Sequence, residues 1–209
     1  SPQRRIVVLG DSITKGVRTG VAESETFGAR LQTSLRATGL LIDVINQGIG
    51  GERTDQALAR LNRDILSLEP EIVIVMYGTN DSYVDQGQQR CRITATEYRQ
   101  NLEKIVADLR RVGIQPILMT EPRWGDKAGL NGVGEHPNVR LQEYVAECRA
   151  VAEQTQTPLI DHFAVWSNAN SKGIDIGSWT TDECHPNPAG HLKIAEAMLP
   201  VVLKAVTDQ

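Results

Sequence analysis

The run Ile72-Val73-Ile74-Val75-Met76-Tyr77 constrains this chain more than any other feature. An uninterrupted apolar stretch of this kind, rich in β-branched side chains, reads as a strand buried on both faces. Strands of that type belong to parallel sheets lying between two layers of helices. The run is far too short to cross a bilayer.

The flanking patterns agree. Residues 5–9 and 41–45 form two further strand-like runs, Gln115–Thr120 a fourth and residues 158–161 a short fifth. Between them apolar side chains recur at helical spacing: Phe27, Leu31 and Leu35, stopped at Gly39; Ala57, Leu58, Leu61, Ile65 and Leu68 after Thr54, with Pro70 beyond; Tyr98, Leu102, Ile105, Val106 and Leu109, ending near Gly113; and Leu141, Tyr144, Val145, Cys148 and Val151. A last helix runs from about Pro188, with Leu192, Ala195, Met198, Leu199 and Val202 inward. Strand alternating with helix implies a three-layer α/β/α sandwich. The expected sheet is flavodoxin-like, with five parallel strands in the order 2-1-3-4-5 and ligands at the carboxyl ends of the strands.

With 209 residues and no internal repeat or linker, the chain is expected to form one domain, spanning residues 1–209. A net charge of −4 without a Lys/Arg block argues against a nucleic-acid partner. The opening Ser-Pro-Gln-Arg-Arg runs straight into an apolar segment, which suits a cytoplasmic chain and equally a trimmed secreted one. Cys91, Cys148 and Cys184 lack zinc-site spacing, so neither a metal nor another cofactor is expected. Free thiols are the preferred reading, with a Cys91–Cys184 disulfide the alternative in an oxidising compartment. Oligomeric state leaves no trace in the sequence.

Four polar or glycine-rich segments fall at the expected carboxyl edge. Gly10-Asp11-Ser12-Ile13-Thr14 follows the first strand and places a serine at the start of the next helix. Read alone, it serves equally as a helix cap or a phosphate cradle. Gly48-Ile49-Gly50-Gly51 follows the second strand, where glycine lets a backbone N–H approach a ligand. Gly78-Thr79-Asn80-Asp81 follows the third and offers a donating carboxamide. Asp182-Glu183-Cys184-His185-Pro186-Asn187 precedes the last helix, with Asp182 three residues before His185. That spacing lets a carboxylate reach the imidazole Nδ1–H and turn Nε2 toward Ser12.

The other histidines are weaker candidates for a base. His136 has Val133, not an acid, three residues earlier. His162, beside Asp161, reads as a structural or rim residue, and His191, inside the last helix, as a surface or packing residue.

With these motifs in this order, the sequence resembles the SGNH hydrolases, also called GDSL lipases and esterases. Gly-Asp-Ser-Ile stands where that family often has Gly-Asp-Ser-Leu, and Gly-Ile-Gly-Gly, Gly-Thr-Asn-Asp and Asp-Glu-Cys-His-Pro-Asn follow. The match runs from Ile6 to the final helix. The resemblance implies Ser12 as nucleophile, His185 as base and Asp182 as its partner. It implies an oxyanion hole from the Ser12 N–H, the Gly51 N–H and the Asn80 side chain, with Gly50 the alternative to Gly51.

A serine esterase acting through an acyl-enzyme is the function this implies. Short acyl chains on a polar or carbohydrate alcohol are the preferred substrates, because no amphipathic lid of the kind suited to a lipid–water interface is visible. Lysophospholipase and thioesterase activities of the same family are alternatives. A non-catalytic phosphate- or nucleotide-binding module is the alternative from another class. Candidate substrate contacts are Asp11, Glu52, Arg53, Arg123, Trp124 and Trp179. The glycine-rich loop at residues 127–137 is a candidate cover for the site.

Overall fold

The computed structural model describes residues 2–208. Five parallel strands form one sheet: β1 (Arg4–Gly10), β2 (Ile42–Gly48), β3 (Ile72–Met76), β4 (Gln115–Thr120) and β5 (Leu159–Asp161). Their order is β2-β1-β3-β4-β5, as the alternation of the sequence implies. The helices are α1 (Ser12–Lys15), α2 (Phe27–Ala37), α3 (Thr54–Arg60), α4 (Ala95–Arg111), α5 (Pro137–Gln154), α6 (His162–Ser171) and α7 (Pro188–Thr207).

Side chains on a strand alternate between faces, so each central strand supplies two cores. Ile6, Val8, Ile74, Met76, Ile117 and Met119 pack on one side against Phe27, Leu31 and Leu35 of α2 and Ile194, Met198 and Val202 of α7. Val7, Leu9, Val73, Val75 and Leu118 pack on the other against Ala57 of α3, Leu102 and Ile105 of α4 and Tyr144 and Val151 of α5. All five residues of β3 are buried, which accounts for the run at residues 72–76.

The register aligns the strand ends that carry the site. Gly10 pairs with Gly48 on one side and with Met76 on the other. From β1 the chain passes to β2 on one flank and then to β3 on the opposite flank. The crevice between the loops after β1, β2 and β3 is therefore the point at which the strand order reverses. Two glycines make the close packing there feasible. A Cβ at Gly10 would meet the Thr14 side chain and the Met76 carbonyl, and one at Gly48 would meet the backbone of Lys15.

Some elements differ from their sequence patterns. The helix beginning at Thr54 is α-helical only to Arg60; it widens into a π turn over Leu61–Ile65 and tightens into a 3-10 turn over Leu66–Leu68. Strand β2 runs on to Gly48, past the polar Asn46 and Gln47. Ser12 opens a single helical turn, and α2 begins only at Phe27, so α1 is not the covering helix. Helix α6 starts directly at the end of β5, where Asp161 closes the strand and caps the helix by accepting the Ala164 N–H.

Candidate active site

Ser12 opens α1, one residue past the end of β1, and is half-buried. Asp11 caps its turn, with Oδ1 accepting the Ile13 N–H at 2.9 Å. That N–H is thereby taken, which weakens the phosphate-cradle reading of this segment.

The segment carrying Asp182 and His185 reaches Ser12 from the far end of the chain. Thr180 and Pro186 form an antiparallel bridge around it. Asn187, accepting the Gly190 N–H, caps α7 directly behind. The Ser12 Oγ lies 2.9 Å from His185 Nε2. On the other side of the ring, Nδ1 lies 2.7 Å from Asp182 Oδ2. Asp182 Oδ1 accepts the backbone N–H groups of Cys184 at 3.0 Å and His185 at 2.7 Å. Burial pushes the Asp182 carboxyl up, but those N–H groups and the imidazole outweigh it and hold the group below the usual carboxylate range. Arg18 adds a hydrogen bond to Oδ2 at 3.2 Å.

Two further loops face this pair. Ile49 donates its N–H to Gly10 O and Glu52 donates to Ile49 O, which closes a turn after β2. Gly50 and Gly51 lie exposed on that turn, and Gly51 has a φ of 77°. After β3, Asn80 is half-buried; its Nδ2 donates to Glu52 O at 3.3 Å and its Oδ1 accepts from Arg92 Nη1 at 3.0 Å. The structure thus places Ser12, Asp182 and His185 in one hydrogen-bonded series and sets Gly51 and Asn80 on the two neighbouring loops.

The expected substrate contacts separate into different groups. Glu52 is not a rim residue: it is 4% exposed and is bound by Arg60 Nε at 2.8 Å and Nη2 at 2.7 Å, and by the Tyr77 hydroxyl. Asp11 is fully buried, so its carboxyl is a cap and not a substrate contact. Trp179 also turns away. Its ring meets the buried Trp166 edge-on at 5.2 Å, with Lys193 of α7 above it. Arg123 reaches Ser167 of α6 and Asp126, and Arg53 is paired with Asp55 at its own helix start. Trp124 stacks on Tyr83 with centroids 6.0 Å apart. The loop at residues 127–137 is fastened at its middle, where Gly132 N–H meets Val84 O.

The other histidines have structural positions. His136 caps α5. His162 is fully buried against Met119, so it does not line a rim. His191 is also buried, and its Nδ1 accepts the Phe27 N–H at the start of α2. Burial pushes both His162 and His191 down to about 4. Cys91, Cys148 and Cys184 are free thiols.

Three buried carboxyl groups, Asp11, Asp81 and Glu121, gather beneath the site, a grouping that no sequence motif marks. Asp81 Oδ2 accepts the Thr54 N–H at 3.0 Å and hydroxyl at 2.6 Å, and burial pushes it up to about 6. Glu121 Oε2 accepts the Thr79 N–H at 2.9 Å. Asp11 is raised well above its ordinary range, first by burial and then by the Glu121 carboxyl against it. Arg92 and Tyr83, which border Asn80, were likewise unmarked by any motif. Among the described residues, no group of three or more His, Cys, Asp or Glu is arranged to hold a metal ion, and no helix is long and apolar enough to cross a membrane.

A hydroxyl, an imidazole and a carboxylate in series, at the carboxyl edge of a flavodoxin-like parallel sheet, form the arrangement that hydrolases with an activated serine use. The chain belongs to the GDSL-like lipase/acylhydrolase family, which matches residues 8–193. It is an esterase or acylhydrolase of that family. It is similar to the isoamyl acetate-hydrolyzing esterase 1 homolog of Rattus norvegicus, at 28% identity over 217 residues covering 98% of this chain and 83% of that one. It is also similar to the acetylxylan esterase of Geobacillus stearothermophilus, at 27% identity over 209 residues covering 93% and 92%. Catalytic mutants of that enzyme with solved structures replace a serine, an aspartate or a histidine. The crystal structure of the acetyl xylan esterase AlAXEase shares the fold, with a TM-score of 0.79 at 24% identity over 95% of this chain and 99% of that one.

Proposed function

We propose that this protein is a serine esterase that removes short acyl groups from polar or carbohydrate alcohols through an acyl-enzyme. The observation that carries the reading is the series Ser12 Oγ–His185 Nε2–Asp182, at 2.9 and 2.7 Å. Ser12 attacks the ester carbonyl while His185 takes its proton; the carbonyl π electrons move onto oxygen. As the C–O bond breaks, His185 returns the proton to the departing alcohol. Water, deprotonated in turn by His185, then releases the acid and restores Ser12. Asp182 keeps the proton-bearing Nδ1 directed toward itself and stabilises the imidazolium.

The oxyanion formed in each half-reaction is assigned to three donors: the Ser12 N–H, the Gly51 N–H and the Asn80 Nδ2. Gly51 fits the role because its turn leaves the N–H groups of both glycines without an acceptor among the described residues. Asn80 fits because only one of its two amide hydrogens is engaged.

Support for a short acyl group comes from the two relatives, whose names specify acetate esters. Support for a polar alcohol comes from the cleft beside Asp182, lined by Lys127, Asp175, Ser178, Thr180 and Thr181. Trp124 and Tyr83, stacked beyond Asn80, are the substrate-facing aromatics this reading retains.

The test is a panel of p-nitrophenyl esters of increasing chain length beside acetylated xylo-oligosaccharides, run with wild type and Ser12→Ala. Turnover should be highest for acetyl esters and lost in Ser12→Ala, which should also lose labelling by a fluorophosphonate. Near-normal hydrolysis by folded Ser12→Ala would remove the nucleophile assignment. A preference for long acyl chains would remove the substrate class and leave the mechanism standing.

A further inference from the structure

We infer that Arg92 is a positioning residue that fixes which edge of the Asn80 carboxamide faces the oxyanion; the inference rests on the donor role proposed for Asn80. The hydrogen bonds leave one orientation for that amide. A guanidinium only donates, so the Asn80 atom 3.0 Å from Arg92 Nη1 is the carbonyl oxygen. A backbone carbonyl only accepts, so the atom 3.3 Å from Glu52 O is the nitrogen. With both edges fixed, the second Nδ2 hydrogen remains for a ligand.

The bond to Glu52 O is long and by itself a weak restraint. Arg92 is held much more firmly. Its Nε and Nη2 bind Asp85 at 3.0 and 2.7 Å, a bidentate pair. Its guanidinium carbon lies 5.3 Å from the centroid of the Tyr83 ring. Its backbone N–H donates to Tyr83 O, folding the loop back toward the end of β3. The guanidinium is therefore fixed before it meets Asn80. Its charge draws electron density toward Oδ1 and strengthens Nδ2–H as a donor.

The test is a double-mutant cycle on hydrolysis of p-nitrophenyl acetate, with melting curves to establish folding. Asn80→Ala should lower kcat by ~10²–10³-fold, the usual effect of losing one oxyanion donor. Arg92→Met should lower kcat by on the order of 10-fold, the scale of coupling between contacting residues, with KM within about twofold. Arg92→Lys, which keeps a cationic donor, should fall between. In the Asn80→Ala background neither Arg92 substitution should lower kcat further. Losses that multiply in the double variants would overturn the inference while leaving the Asn80 assignment intact. Unchanged kcat in both Arg92 variants would do the same. Wild-type kcat in Asn80→Ala alone would overturn the oxyanion assignment and the positioning role with it.

Discussion

Glu52 and Arg60 face each other across 2.7 Å, each side chain only 5% exposed, behind the turn that carries Gly50 and Gly51. The pair bridges two loop ends. Arg60 also donates to Gln47 O at the end of β2, and the Glu52 carbonyl accepts from Asn80.

Removing Glu52 takes both short carboxylate bonds from the buried Arg60 guanidinium and leaves it only Asp64, 3.7 Å away. Glu52→Ala should therefore cost about 3–5 kcal/mol of stability. Urea unfolding followed by circular dichroism measures this. A loss below about 1 kcal/mol would mean that Arg60 finds water in place of the carboxylate.

Asp182→Asn separates orientation from folding. Asn Oδ1 can still accept the Cys184 and His185 backbone N–H groups, so the segment should keep its shape. The amide nevertheless puts a donor where Nδ1–H points and favours the wrong tautomer. A kcat loss of ~10²–10⁴-fold with little change in melting temperature is expected. Steady-state kinetics on p-nitrophenyl acetate decides it, and activity within twofold of wild type would show that the imidazole needs no carboxylate.

The acid limb of the rate should reflect one proton. A protonated His185 cannot accept the Ser12 proton, so kcat/KM falls as pH is lowered. Asp182 is held below the usual carboxylate range, so it contributes no second proton at mildly acidic pH. The logarithm of kcat/KM against pH should descend with a slope of one. A slope of two, or the absence of any acid limb, would contradict this.

His162 and His191 make the fold acid-sensitive. Both lie near 4 in the native protein, against an ordinary value of 6.5. Between those limits the unfolded chain binds protons that the native one refuses, so stability rises with pH through the window and is lost as pH falls from 6.5 toward 4. Each histidine contributes roughly 3 kcal/mol to that loss. His191→Asn keeps an acceptor for the Phe27 N–H and removes the titrating ring. Its stability, from urea unfolding at pH 7, 6, 5 and 4.5, should fall with pH less steeply than that of wild type, by about one proton. Parallel curves would refute the assignment.

The sheet and its order were legible because buried strands such as β3 carry an unbroken apolar run and the helices between them keep their spacing. The pairing of Ser12 with His185 could be anticipated only by combining two motifs at opposite ends of the chain. Side-chain direction at the rim was not legible. Glu52 sits in a loop and Trp179 at the end of the short 3-10 turn Ile176–Trp179, where no periodicity says which way a side chain points, and each is turned inward by partners elsewhere in the sequence: Tyr77 for Glu52, Trp166 for Trp179. Helix α6 was hidden because residues 162–171 mix Asn and Ser with apolar side chains, and because no loop separates the helix from β5. Arg92 gave no signal at all. It meets Asn80 only because the intervening loop doubles back, which its Asp85 and Tyr83 contacts bring about.

The bond between Ser12 and His185 joins positions 173 residues apart, and α7, which follows His185, packs on α2 near the chain's beginning. A nascent chain therefore carries its hydroxyl long before the imidazole leaves the ribosome, and their contact must wait for the segment that bears His185. On the proposed mechanism, ester hydrolysis would then report the docking of this segment: a chain cut before His185 would keep its serine with nothing to activate it.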